Sequence, residues 1–286
     1  MLALSPVVVE AVWQAFSAYL SKHAEKPHPL GCHRPPVSDR DCFEAILFRL
    51  VTGCSWDVAG CLGKGGKTTL RRRRDEWTQA GVFEHLVTET LGAYDRVIGL
   101  DCSEVLVDGS LHKAPCGGEG TGPNPTDRAK TGWKWSIATD RNGIPIGWAI
   151  DGANRNDFGM LLATLDDVAA RGLLSEIETL HLDRGYDNSS VRRLVKDSGI
   201  DDLVCAKTLR RGEIKLVKKV LPLGLRWPIE RTNSWLSNFG QLRRSTDRFV
   251  AHRLASLELA ITLIITVELV KRKARRQPSS RQLFRG

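Results

Sequence analysis

The sequence lacks the cysteine patterns of a disulfide-stabilised or zinc-binding protein. Its 7 cysteines form no CxxC pair and follow no regular spacing. An odd number of unpaired thiols is typical of a reducing compartment and not of a secreted disulfide framework. A zinc site formed by Cys32, His33 and Cys42 is a weaker alternative, because no second pair of ligands accompanies these residues.

Membrane anchors and secretory leaders are not indicated either. The segment Met1–Val9 has no basic start, and Pro6 interrupts its short apolar run. The longest apolar stretch, Leu254–Val270, contains Glu258 and Glu268 and is shorter than the roughly 20 residues of a membrane span. We therefore expect a buried helix there, in a cytoplasmic protein without a membrane partner.

A nucleotide-binding phosphate loop is also excluded. The glycine-rich string ending in Gly66, Lys67 and Thr68 resembles one, but the motif requires a further glycine at position 61. That position is occupied by Cys61, and no strand is predicted before it.

Basic residues are concentrated at one end of the chain. Lysines and arginines number 42 against 33 aspartates and glutamates, a net charge of +9. From Lys207 to the C-terminus there are 19 basic and 5 acidic residues, a net of +14, whereas the preceding residues have 23 basic and 28 acidic ones, a net of −5. This distribution favours a polyanion bound along one surface with carboxylates close by. A solvated basic face is the alternative.

Residues 1–95 are predicted to form an all-helical domain. Apolar residues recur at helical spacing in Val7–Leu20 and Cys42–Thr52; Ser38 is a candidate N-cap of the second helix, and Gly53 ends it. Further helices are predicted over Trp56–Leu62, Thr68–Ala80 and Val82–Tyr94.

Two of these helices, Trp56–Leu62 and Thr68–Ala80, resemble a helix-turn-helix. Lys67–Trp77 would be its recognition helix, with Thr68 or Thr69 as cap. The stretch Lys64–Arg74 contains six cations and no anion, so we expect it to contact DNA. A solvated basic helix is again the alternative.

Residues 96–286 follow the pattern of an α/β domain. An Asn142-Gly143 pair between apolar runs predicts a hairpin, and Pro228 is a candidate first residue of a helix. Two further helices are predicted to close the chain, and the whole predicts one mixed sheet of about five strands flanked by helices. The strands are predicted at Glu104–Gly109, Trp133–Thr139, Ile144–Ile150, Ile177–Leu182 and Asp202–Ala206, with a helix at Asn188–Asp197.

Three carboxylates occupy positions that favour catalysis. Asp108 and Asp183 each follow an apolar strand, and catalytic groups gather at the carboxyl ends of strands in open α/β sheets. Glu230 lies in the first turn of the helix opened by Pro228. Each of the three also has a purely structural interpretation, as a turn cap, a helix cap or a helix-dipole partner.

The chemistry of these groups suits divalent cations. Mg²⁺ binds through oxygen ligands, usually one or two carboxylates together with water and phosphate oxygens. Two such ions activate the attacking oxygen and stabilise the leaving oxygen of a phosphoryl displacement. Asp108, Asp183 and Glu230 are therefore candidate metal ligands.

Longer strings around these carboxylates resemble a known family. The Leu-Asp-Arg-Gly-Tyr-Asp and Trp-x-x-Glu-Arg-Thr-x-x-Trp-Leu strings are its specific motifs, and the resemblance is weaker in the helical first part. On these residues the chain resembles the DDE transposases of bacterial insertion sequences, family five, whose catalytic core is RNase H-like. The similar stretches are Leu106–Pro115, Gly122–Asp157, Leu180–Asp187 and Arg226–Ser245, with Ser38–Val58 and Ala80–Leu86.

The resemblance implies an enzyme that cuts DNA at the ends of a mobile element and joins the freed 3′ ends to target DNA. Asp108, Asp183 and Glu230 would bind two Mg²⁺ ions, for which Mn²⁺ can substitute. The partners would be double-stranded DNA, comprising terminal inverted repeats and target, and a second copy in a homodimer at the bacterial nucleoid. The candidate DNA-binding residues are Lys64, Lys67, Thr68, Thr69, Arg71, Arg72, Arg73, Arg74, Lys113, Lys130, Lys134, Arg184, Arg226, Arg231, Arg243 and Arg244.

Two neighbouring residues are assigned structural roles. His181 is expected to pack in the core, and Asp187 is expected to cap the helix that follows it.

Two other functions remain open at this point. A non-catalytic DNA-binding protein or domesticated transposase would share the helix-turn-helix and the charge but would not need all three carboxylates. A free-standing RNase H-like nuclease or resolvase would share the carboxylates but would not need a separate helical domain that reads element ends.

Overall fold

The computed structural model describes residues 5–20, 36–61, 65–200, 202–205 and 226–276. The first part of the chain forms helices in the segments where the sequence predicts them, with ends that differ by three residues or fewer. These helices are α1 (Pro6–Ser17), α2 (Asp39–Thr52), α3 (Trp56–Gly60), α4 (Lys67–Gln79) and α5 (Val82–Val97). The zinc alternative falls largely outside the described residues, since Cys32 and His33 are not among them.

The ends of these helices test the capping predictions. The Ser38 hydroxyl accepts a hydrogen bond from the Asp41 N–H at 3.1 Å, so the predicted cap of α2 is confirmed. Gly53 ends α2 in the left-handed conformation, with φ of 72°. The predicted cap of α4 is wrong: Gly66 precedes the helix without a side-chain hydrogen bond, and both Thr68 and Thr69 lie inside it.

A mixed sheet follows the helices. Its strands are β1 (Glu104–Lys113), β2 (Gly122–Pro123), β3 (Thr131–Thr139), β4 (Pro145–Gly152), β5 (Thr179–Leu182) and β6 (Asp202–Cys205). The spatial order is β4-β3-β1-β5-β6, and the two-residue β2 pairs with the start of β3. β1 runs antiparallel to β3 and parallel to β5. All five predicted strands are present, in an RNase H-like arrangement with β1 at the centre.

One strand is longer than predicted. The sequence indicates that β1 ends at Gly109, whereas its pairing with β3 continues to Lys113. Asp108 is therefore in the middle of β1. The strand that stops beside it is β5, which ends at Leu182, so one flank of β1 is open at Asp108.

The remaining helices cover the sheet and close the chain. They are α6 (Asp157–Ala170), α7 (Ser189–Asp197), α8 (Trp227–Ser237), α9 (Gly240–Arg243) and α10 (Val250–Arg276). The predicted cap of α7 is wrong by one residue. Asn188 accepts the hydrogen bond from the Val191 N–H at 2.9 Å, while Asp187 binds the Arg192 side chain.

Helix α10 joins the two parts of the chain. Leu257, Ala260, Ile261 and Ile265 on this helix are fully buried, and the helix packs mainly against α5 and also against α1. The described residues on both sides of position 95 therefore share one hydrophobic core, although the division into two domains there stays a prediction. No helix in the described ranges is long and apolar enough to cross a bilayer.

The buried carboxylate of Asp247 links the turn before α10 to helices α2 and α4. Asp247 accepts hydrogen bonds from Arg74 of α4 at 2.8 Å and from Arg49 of α2 at 3.2 Å. Burial alone would raise the pKa of Asp247, but the two guanidinium groups outweigh it and hold the pKa below its usual range. Both arginines also stack on the Trp56 ring, with centroid distances of 4.2 Å for Arg49 and 5.0 Å for Arg74.

Candidate active site

Asp108 is held in one orientation by two hydrogen bonds. Its Oδ1 accepts from the Gly109 N–H at 2.9 Å, and its Oδ2 accepts from the Asn233 amide of α8 at 3.1 Å. The Asn233 oxygen in turn accepts from the indole N–H of Trp135 on β3 at 2.9 Å. Trp135 is fully buried and stacks on His112 at a centroid distance of 3.5 Å. A chain of contacts from the sheet through α8 thus fixes the carboxylate.

Asp183 lies beside Asp108. In the parallel pair of β1 and β5, Leu106 is opposite His181. Asp108 lies two residues beyond Leu106 within β1, and Asp183 lies two residues beyond His181, directly after the end of β5. The register therefore brings the two residues to the same level of the sheet. They line a common cleft. The structure thus brings these two aspartates together at one cleft.

Asp108 has a raised pKa in this cleft. Burial raises the pKa of Asp108 to about 6, and the negative charge of Asp183 contributes to the rise. The Gly109 N–H, Arg226 and Asn233 act in the opposite direction without cancelling it. A divalent cation bound here would relieve the same repulsion.

Glu230 is connected to the aspartates through an arginine. It lies in the first turn of α8 with its side chain 61% exposed. Arg226 approaches Glu230 Oε1 with its Nε at 3.7 Å and Asp183 Oδ1 with its Nη1 at 3.5 Å. The guanidinium therefore lies between the second and third carboxylates of the predicted triad.

The donors present fit a magnesium-type ion, but three of them do not converge. Within the described ranges, no three Asp, Glu, His or Cys side chains are arranged closely enough to hold a metal ion. Asp108 and Asp183 by themselves supply the one or two carboxylates that Mg²⁺ usually takes from a protein. Glu230 can join them only if the Arg226 guanidinium moves from between them.

A cleft of about 560 Å³ opens in front of the two aspartates. Its walls include Tyr186, Asn124, Asn154 and Lys134. Burial raises the pKa of the Tyr186 phenol, so this hydroxyl stays protonated. Lys134, predicted to bind DNA, is 6% exposed at its side chain, forms an ion pair of 2.6 Å with Asp157 and donates to the Arg155 carbonyl. The Lys134 ammonium group is therefore neutralised by a carboxylate of the protein.

Three more of the predicted DNA-binding arginines are engaged by other groups of the protein. Arg73 has a side chain that is 8% exposed and pairs with Asp39 and Glu76. Arg74 binds Asp247, as described above. The Arg231 guanidinium lies between the rings of Trp227 and Trp235, at 4.4 and 4.5 Å from their centroids, and donates to the Asn142 carbonyl. These three guanidinium groups bind other groups of the protein, which argues against a role in DNA contact.

Arg231 and its neighbour Thr232 fix the turn between β3 and β4. The Thr232 hydroxyl donates to the Gly143 carbonyl at 2.6 Å. Gly143 has a φ of 77°, and a Cβ there would approach the Arg231 Nη2 to 2.7 Å. Only glycine fits between this turn and α8.

The other predicted contacts are exposed or lie outside the described part of the chain. Lys67 pairs with Asp57 at 2.8 Å, and Lys113 and Lys130 are both 63% exposed near Asp127. Lys64 is outside the described residues, as is the side chain of Arg184. Exposed residues on α4 and α9 and in the turn after α9 are Thr68, Arg71, Arg72, Arg243 and Arg244; Thr69 is half-buried.

The sequence interpretation missed the residues that orient Asp108. Asn233 comes three residues after Glu230, which places both on one face of α8, and this spacing was the available signal. Trp135 gave none, because an apolar strand residue is ordinarily explained by the core. His181 is buried as expected, but it also pairs with Glu104 at 2.9 Å.

Comparisons with known proteins identify the family of this chain. Residues 101–265 match the family model described as "Transposase DDE domain", and residues 8–87 match "Putative transposase of IS4/5 family". The chain belongs to the DDE transposase family. Members of this family are endonucleases and strand transferases that use divalent metal ions, and transposition is the function of this chain.

Two relatives come from Burkholderia cepacia. The "Putative transposase for insertion sequence element IS402" is 39% identical over 150 residues, covering 50% of this chain and 67% of that protein. The "Insertion element IS402 uncharacterized 16.2 kDa protein" is 31% identical over 123 residues, covering 42% of this chain and 82% of that protein.

Solved transposases are more distant. A piggyBac transposase synaptic complex with hairpin DNA has 10% identity and a TM-score of 0.43, covering 96% of this chain and 75% of that chain. A pre-cleavage Mos1 transpososome has 9% identity and a TM-score of 0.26, covering 91% of this chain and 86% of that chain.

Proposed function

We propose that Asp108, Asp183 and Glu230 are the catalytic carboxylates of this transposase and that they bind two Mg²⁺ ions, with Mn²⁺ as a substitute. The observation that carries the proposal is the adjacency of Asp108, in β1, and Asp183, directly after the parallel strand β5, at the point where β5 stops and leaves β1 open. Two bound cations would activate the attacking oxygen and stabilise the leaving oxygen of an in-line displacement.

The protein's own groups have separable roles. Asp108, fixed by Asn233, provides the rigid ligand, and Asp183, 46% exposed, provides the second. Arg226 neutralises Asp183 and Glu230 until cation and DNA are bound, and its guanidinium then becomes available to a phosphate oxygen. Glu230 completes the carboxylate set once this ion pair opens.

The substrates proposed are the terminal inverted repeats of the element and a target duplex. Hydrolysis frees a 3′-hydroxyl at each element end, and that hydroxyl attacks a phosphodiester of the target. Both steps exchange one P–O bond for another, so no covalent protein intermediate is needed. We propose further that two copies act as a homodimer, one at each element end, on the bacterial nucleoid.

The test uses DNA ends taken from the sequence that flanks the gene. The wild-type protein with Mg²⁺ should cut these ends and join them to a plasmid. Asp183→Asn should abolish both reactions without weakening DNA binding, because the substitution removes a negative charge that faces phosphate. Asp187→Asn is the matched control: this carboxylate pairs with Arg192, and its loss should preserve activity.

Other outcomes identify the alternatives. Binding of the wild-type protein to the repeats without any cleavage would indicate a DNA-binding protein. Cleavage that ignores the repeat sequence would indicate a general nuclease. Equal loss of activity in Asp183→Asn and Asp187→Asn would contradict the assignment of the site.

A further inference from the structure

A second cleft, of about 530 Å³, lies between the helical first part and the turn that precedes α10. Arg71 of α4 lines one wall, and Arg244 and Arg248 line the other. All three are exposed. Phe249, at the same cleft, leaves 54% of its surface in solvent. We call this feature the arginine cleft, defined by Arg71, Arg244 and Arg248.

The acidic groups of the arginine cleft are already neutralised. Asp57 pairs with Lys67 at 2.8 Å, and Asp247 binds Arg49 and Arg74. Asp75 pairs with Arg74 at 2.7 Å and faces His252 at 3.0 Å.

The three arginines that define the cleft have no such partner. Within the described ranges, none of their side chains forms a hydrogen bond or ion pair. Arg71 contributes to the lowered pKa of Asp57, but Lys67 contributes more. The cleft therefore carries an excess of guanidinium charge. Planar guanidinium groups bind phosphate oxygens in a bidentate manner.

The turn that carries two of these arginines is fixed against the end of β1. The Ser245 N–H donates to the Lys113 carbonyl at 2.9 Å, and the Glu119 N–H donates to the Arg248 carbonyl at 2.8 Å. Arg253 of α10 is fully buried and donates to the carbonyls of Asp247 and Gly117, at 2.6 and 2.8 Å. The backbone positions of Arg244 and Arg248 are therefore set before any ligand binds.

The same attachment sets the distance to the active site. Arg244 pairs with Lys113 at the end of β1, five residues beyond Asp108. Five residues of antiparallel strand at about 3.4 Å each span about 17 Å. One strand of B-DNA advances about 3.4 Å per nucleotide, so a duplex lying along β1 would place the Arg244 end of the cleft about five base pairs from a bond held at Asp108.

We infer that the arginine cleft binds the phosphate backbone of duplex DNA about five base pairs from the scissile bond. The distance rests on the proposed function, because it is measured from Asp108; the binding of duplex DNA does not. This contact would join α4, which we expect to read the element end, to the catalytic sheet.

Salt dependence tests the binding. We would measure the affinity for a 40-base-pair duplex of arbitrary sequence between 50 and 200 mM NaCl. Each lost phosphate contact lowers the slope of log affinity against log salt by about 0.9. Arg244→Gln with Arg248→Gln should therefore lower it by about 1.8. The control removes the same charge elsewhere, at exposed Arg96 and Lys273, and should lower it far less. Equal slopes for the two double variants would overturn the inference.

Photocrosslinking tests the position. A benzoylphenylalanine replacing Arg248 should crosslink to a flanking-sequence duplex about four to six base pairs from the mapped cleavage site. Crosslinks centred more than ten base pairs away would contradict the spacing. If the wild-type protein cuts nothing, the proposed function fails, while the salt slope on arbitrary duplex still decides whether the cleft binds DNA.

Discussion

The Asn233 amide donates a hydrogen bond of 3.1 Å to Asp108, while its oxygen is held by the Trp135 indole. Asn233 is therefore fixed with its N–H toward the carboxylate. Groups that orient a metal ligand commonly contribute 10–100-fold to metal affinity. We treat Asn233 as a positioning residue.

Asn233→Ala should weaken Mn²⁺ binding by roughly ten-fold, measured by calorimetry on the protein without DNA. Trp135→Phe should act in the same direction, because it removes the group that holds Asn233. Asn238→Ala changes an exposed asparagine near the end of the same helix and serves as control. If Mn²⁺ binds equally well to all three variants, Asn233 has only a packing role.

Removing Arg226 should have opposite effects on two ligands. Arg226→Gln exposes the charges of Asp183 and Glu230, so Mn²⁺ should bind roughly 1.4- to five-fold more tightly, as expected for partly exposed pairs of about 0.2–1 kcal/mol. Duplex DNA should bind more weakly. Arg192→Gln, which frees only Asp187, is the control for both titrations. A parallel loss of both affinities would argue against the proposed role of Arg226.

Metal binding should depend on pH through Asp108. Its pKa is raised to about 6, so a cation must displace a proton at lower pH. The apparent Mn²⁺ affinity should be constant above pH 7 and should fall by about ten-fold per pH unit below 6. Paramagnetic resonance of free Mn²⁺ at pH 5, 6 and 7.5 would measure this. A midpoint near pH 4 would contradict the raised pKa.

Glu258 should destabilise the protein at neutral pH. Burial in α10, with Glu84 nearby, raises the pKa of Glu258 to about 8. A raised folded pKa means that stability is full below the unfolded value of 4.5 and is lost as the pH rises toward 8. Glu258→Gln should therefore raise the melting temperature at pH 8 and change it little at pH 4.5, with exposed Glu89→Gln as control. A similar gain at both pH values would show that ionisation is not the cause.

Asp247→Asn should cost about 3–5 kcal/mol, as expected when one member of a buried ion pair is removed. Its partners Arg49 and Arg74 would be left buried without the charge they face. Because the pKa of Asp247 is lowered, this stabilisation is present at neutral pH and is lost as the solution becomes acidic. Urea unfolding of Asp247→Asn and of the exposed control Asp166→Asn would measure the difference; equal midpoints would refute it.

Local sequence patterns predict most of the helices and strands of the fold. Helical spacing, Ser38 and the Asn-Gly turn are short-range signals, and the elements they predict are present. The end of β1 was misplaced because Gly109 looks like a terminator, whereas pairing with β3 extends the strand to Lys113. Strand pairing depends on residues distant in sequence, which a local pattern does not contain.

The same limit applies to the site. Motif strings identified Asp108, Asp183 and Glu230, but a basic residue gives no sign of where its charge is directed. Arg73 and Arg231 look like DNA ligands in the sequence, but in the fold Arg73 pairs with acidic side chains and Arg231 stacks on tryptophan rings. Arg248 was not singled out, although it faces an open cleft, because only the folded turn after α9 brings it near Arg71.

The late position of α10 in the sequence affects how the nascent chain folds on the ribosome. Helices α1 and α5 emerge first, yet the helix that covers their apolar sides begins at Val250. At bacterial elongation rates of about 5–20 residues per second, the gap after α5 lasts roughly 8–30 s. During that interval the nascent chain displays uncovered apolar helices, which makes it a candidate client for chaperones that act at the exit tunnel.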